Sequence, residues 1–92
     1  MIVRILGEGQ FDVPEGDVGR LNDLDEALTQ AIEAGREDAF AAALLALVEA
    51  IRAAGTPLPD DSLQPSDAIV PAGDSSVEEV TALLRADGLI PD

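Results

Sequence analysis

Apolar and polar residues alternate through the opening stretch MIVRILGEGQFDV, residues 1–13. In an extended strand Val3 and Ile5 fall on one side and Arg4 on the other. Gly7-Glu8-Gly9 interrupts the pattern, and Gln10-Phe11-Asp12-Val13 resumes it. Two such runs around a glycine-containing bend predict a β-hairpin over 2–13. A dinucleotide-binding loop would need a third glycine where Asp12 stands, so Gly7 and Gly9 are read as the glycines of a tight bend.

The spacing then changes. Pro14-Glu15-Gly16-Asp17 closes the second strand, and Val18, Leu21, Leu24 or Asp25, Leu28 and Ile32 recur at helical intervals. This predicts a first helix over 17–34 with Asp17 as its N-cap, Gly19 inside its first turn and Gly35 as a left-handed stop. Phe40, Leu44, Leu47, Val48 and Ile51 form the stripe of a second helix over 36–54, rich in alanine. The short connection at Gly35 makes the two helices an antiparallel hairpin. Leu45 falls off the stripe, so this helix is apolar on more than one side. Either the sheet or a partner must cover the surplus.

Four of the six prolines lie within 55–74, where regular helix cannot form. Leu58, Leu63, Ile69 and Val70 give this segment apolar anchors, so it reads as an ordered loop, with Ala68-Ile69-Val70 suited to a short third strand. Ser75-x-x-Glu78, echoed by Ser76-x-x-Glu79, is a capping-box pattern opening a third helix over 76–87. Val77, Val80, Leu83 and Leu84 supply its buried face, and Asp87-Gly88 ends it. The expected architecture is α+β: an N-terminal β-hairpin, joined by a strand near Ile69, packed on an antiparallel α-hairpin with a C-terminal third helix, in one domain over 1–92.

Composition narrows the chemistry. The chain of 92 residues contains no histidine and no cysteine, its five basic residues are all arginine, and aromatics are 2%. These absences exclude a Ser-His-Asp triad, thiolate metal sites, a cysteine nucleophile and Schiff-base chemistry. No cofactor is implied. The net charge of −14 sets the domain against phosphate backbones and anionic membrane surfaces, so neither nucleic acid nor direct membrane insertion is expected. The apolar start is broken by Arg4 and does not read as a secretory signal, and no stretch reaches the about 18 apolar residues of a membrane span. The expected location is the cytoplasm.

Acidic clusters are the remaining raw material. Asp23-Leu24-Asp25-Glu26 lacks the glycine and closing glutamate of a calcium loop and reads as a solvated helix face. Asp60, Asp61 and Asp67 lie in the proline-rich loop, where a hard cation would find oxygen ligands, although turn chemistry accounts for the same residues. Arg4 faces away from Val3 and Ile5, where it would pair with Asp12 or Asp67 or meet a partner. Arg4, Leu45, Asp60, Asp61 and Asp67 are therefore the candidate partner-contact residues.

In order, the opening MIVRI-x-GEGQ, the acidic α-hairpin, the PDD-x-L-x-PSD loop and the closing GLIP resemble the small PspA-associated family, PspAA, over essentially the whole chain. The resemblance implies a non-enzymatic companion of phage-shock protein A, a helical protein similar to the ESCRT-III class that protects stressed cytoplasmic membranes. It implies an adaptor or modulator of the envelope-stress response, in the cytoplasm and recruited to the membrane's inner face through its partner. No catalytic residues carry over. Two other readings use the same residues: an acidic protein that blocks a basic partner such as a DNA-binding regulator, and a divalent-metal-binding domain built on Asp60, Asp61 and Asp67. A homo-oligomer through the second helix would also hide its surplus apolar side.

Overall fold

The structure, a computed structural model, describes residues 1–84 and 88–91. The chain runs β1 (Ile2–Ile5), β2 (Gly9–Asp12), α1 (Glu15–Glu33), α2 (Glu37–Ala54), β3 (Thr56–Pro57), β4 (Ala68–Val70) and α3 (Val77–Leu83). The fold is α+β, as the pattern predicts.

β1 and β2 form the expected antiparallel hairpin, with Val3 opposite Phe11 and Arg4 opposite Gln10. Gly7 and Gly9 supply its bend at φ +86° and +122°, values that side chains rarely tolerate. The strand near Ile69 is β4, which runs parallel to β1 at one edge of the sheet. A fourth strand, unforeseen in the sequence, pairs Thr56 and Pro57 with β2 at the other edge. An edge is where proline is tolerated, because its missing N–H breaks no ladder bond.

α1 begins at Glu15, two residues before the expected start, with extended Pro14 at the N-cap. Asp17 is thus not the cap. Its N–H donates to the Pro14 carbonyl at 3.0 Å inside the first turn, where Glu15 and Asp17 complement the helix dipole. At the other end Gly35 has φ +68°. Its N–H donates to Ile32 O and that of Arg36 to Ala31 O, both at 3.1 Å, the paired bonds of a Schellman stop. α2 follows antiparallel. Of the two overlapping capping boxes in the sequence, Ser76 with Glu79 is the one formed. α3 ends at Leu83 rather than 87, because Leu84 turns extended. The expected stop at Asp87 lies outside the described residues.

One core joins these layers: Val3, Ile5 and Val13, Leu21 and Leu28 of α1, Phe40, Leu44, Leu47, Val48 and Ile51 of α2, and Ala68 and Val70. Val3 and Ile5 face it, so Arg4, with its register partners Gln10 and Ile69, lies on the sheet's outer face. β3 and β4 occupy opposite edges, so the segment between them must cross the sheet. It crosses on the outer face, held by Gln10, whose Nε2 donates to Gln64 O at 2.7 Å and Ser66 Oγ at 2.9 Å. Gln10 is only 6% exposed. Gln10→Ala should therefore cost about 1–2 kcal/mol, since two part-buried acceptors, Gln64 O and Ser66 Oγ, lose their donor. Thermal melting reads the loss, and faster proteolysis within 58–67 shows that this segment is what loosens.

Candidate partner-binding surface

The candidate residues separate once the chain is folded. Arg4 is half-buried on the outer sheet face, and among the described residues no carboxylate reaches it as an ion pair. Both expected partners are engaged elsewhere. The Asp67 carboxylate accepts the Ile2 N–H at 2.8 Å, and Asp12 lies 4.0 Å from the Met1 ammonium. Asp67 is thus a staple between the loop and β1.

Asp60 and Asp61 are exposed in a turn closed by the Ser62 N–H on Pro59 O at 3.0 Å, the turn role that their residue type suits. Among the described residues no three acidic side chains gather as metal ligands. The reading of Asp23-Leu24-Asp25-Glu26 as a solvated face fails at Asp25. Asp23 and Glu26 are exposed, but Asp25 is only 3% exposed. Its carboxylate accepts the Leu89 N–H on both oxygens, at 3.1 and 2.9 Å, and the Ile90 N–H at 2.9 Å. A buried carboxylate on α1 thus holds the main chain at Leu89 and Ile90, whose side chains belong to the core.

Leu45 is where the sheet leaves α2 uncovered, at 46% exposure. Leu6 is 41% exposed and lines a groove of about 360 Å³ with Pro71, Ala72, Ala82, Leu83 and Glu79. Leu45 lies beside Gly73, the residue after groove-lining Ala72, where a Cβ would stand 3.4 Å from Leu45 Cδ1. Two turns on, Arg52 donates to Glu8 in the hairpin bend through Nε at 2.7 Å and through Nη2. These hydrogen bonds hold the Glu8 carboxyl below the usual range and raise the Arg52 guanidinium. Leu6 carries no sequence signal of exposure, because it follows Ile5 and reads as one more strand residue. Its exposure arises from the bend that begins there.

The polar framework of the fold joins the stretches that carry the family resemblance. Gln10 of GEGQ meets Ser66 of PSD, Ile2 meets Asp67, and Asp25 receives the LI of GLIP. Among the described residues no helix is long and apolar enough to cross a membrane. The molecule is an α+β domain whose motif residues hold the chain to itself, with an apolar groove left open at its side.

The family described as PspA-Associated protein matches residues 1–92. The chain belongs to that family. No curated protein and no solved structure matches it.

Proposed function

We propose that the chain is a non-enzymatic adaptor or modulator that binds phage-shock protein A, the ESCRT-III-like membrane-remodelling protein, in the envelope-stress response. The observation that carries the proposal is membership of the PspA-associated family over all 92 residues. Support comes from a chain without histidine, cysteine or lysine, the side chains on which most acid-base and nucleophilic chemistry at neutral pH depends. In this reading the protein works in the cytoplasm and reaches the membrane's inner face through its partner, since its −14 charge opposes direct contact with anionic lipid.

The test is light scattering of the purified protein mixed with phage-shock protein A from the same organism, at low and high salt. A complex that survives high salt is the expected result. Its absence at micromolar concentration at both salts would sink the adaptor reading. The −14 charge also favours a second reading, an acidic protein that occupies a basic groove on a regulator. That reading predicts binding to a basic partner that collapses steeply as salt rises.

A further inference from the structure

We infer that the groove between the hairpin bend, the segment after β4 and α3 is the docking site for an amphipathic helix carrying arginine or lysine beside its apolar ridge. The inference rests on the adaptor reading above and adds the surface and the chemistry of its occupant. The apolar part is Leu6, Ala72, Ala82 and Leu83, in a groove of about 360 Å³, and Leu45 lies beside Gly73, the residue that follows groove-lining Ala72. Leu6 and Leu45 are 41% and 46% exposed, on either side of the Ala72-Gly73 segment, and exposed large apolar side chains grouped in one region mark interaction sites more often than scattered ones do.

The rim decides what charge the occupant carries. Glu79 lines the groove, and exposed Asp74 follows Gly73 directly. Glu49 stands one turn beyond Leu45 on the same side of α2, close enough to raise the Arg52 guanidinium. Among the described residues none of these three acids has an ion-pair partner, while the nearby cation, Arg52, is already matched by Glu8. Among the described residues the rim is negative, and a basic occupant complements it.

The backbone decides what form the occupant takes. The N–H of Leu6 is already spent on Val70 O at 2.9 Å, so an incoming strand finds no free donor there. A helix satisfies its own backbone and presents only side chains, which is the helix-in-groove mode of recognition.

The experiment measures the affinity of full-length phage-shock protein A for the wild-type protein, for L6E/L45E, for E49K and for L63E. Leu63 is 97% exposed in the crossing loop on the outer sheet face and serves as the control. Thermal melting confirms that each variant is folded. We expect L6E/L45E to weaken binding by about tenfold or more, as loss of apolar anchors does. E49K should weaken it by a smaller factor that shrinks with added salt, and L63E should leave it unchanged.

Wild-type binding that L6E/L45E and E49K leave intact would overturn the groove and spare the adaptor reading. No binding by the wild-type protein would overturn both. A wild-type protein that scatters light as a dimer on its own, and that L6E/L45E splits, would overturn the inference by making a second copy the occupant.

Discussion

Asp25→Ala will lower the stability of the domain by about 3 kcal/mol, although the residue lies in a run of acids on a helix. The replacement strips the acceptor from the Leu89 and Ile90 N–H groups. A buried donor left unpaired costs about 1–3 kcal/mol, and two are left here. A domain of this size has roughly 5–14 kcal/mol in total, so the loss is a large share of it. At about 4–8 °C per kcal/mol the melting temperature should fall by about 10 °C or more. Amide exchange supplies the local signature, because the Leu89 and Ile90 amides should lose protection before those of α1 and α2. Asp25→Asn should fall between, since its carboxamide oxygen still accepts but its NH₂ turns a donor toward donors. Asp23→Ala and Glu26→Ala, at exposed positions, should stay within about 0.5 kcal/mol of wild type. Equal effects at all three positions would mean that Asp25 is as solvated as its neighbours.

Asp25 also shows where reading a sequence by residue type loses information. Its position, four after Leu21 and three before Leu28, is a core position, and both leucines are buried beside it. Periodicity placed it inside, chemistry placed it outside, and the C-terminal amides that reconcile the two lie more than sixty residues away. What local pattern controls was legible: the hairpin bend, the Schellman stop at Gly35, the capped start of α3 and the strand at Ile69. What depends on the chain returning to itself was not. Thr56 and Pro57 become a strand only because the α-hairpin brings them back beside β2. Arg4 lies on the face that its alternation predicts, but its expected carboxylates turn to main-chain and terminal N–H groups instead. Leu45 was legible as surplus because helical phase is local. The groove near it joins three distant segments and was not.

Gly88→Ala will destabilise the domain by a similar amount, and the reason is again Asp25. Gly88 has φ +90°, and a Cβ there would stand 2.4 Å from Asp25 Oδ2 and 3.0 Å from its Cγ. The first cost is the left-handed backbone, about 1–2 kcal/mol for a residue with a Cβ. The second is that the carboxylate must move, which breaks its bonds to Leu89 and Ile90, each worth about 1–3 kcal/mol. Gly7→Ala separates the two costs. Gly7 has φ +86° with nothing within 4 Å of its Cβ position, so it carries the backbone cost alone, and Gly88→Ala should exceed it in chemical denaturation. The double variant D25A/G88A isolates the remainder. With the carboxylate gone there is nothing for the new methyl to displace, so the combined loss should fall short of the sum of the single losses by about 1–3 kcal/mol. Strict additivity, with Gly88→Ala no worse than Gly7→Ala, would mean that the glycine serves only its own backbone. The expected coupling instead makes glycine and aspartate two halves of one clasp, in which the missing side chain leaves room for the carboxylate that holds the C-terminal segment in the core.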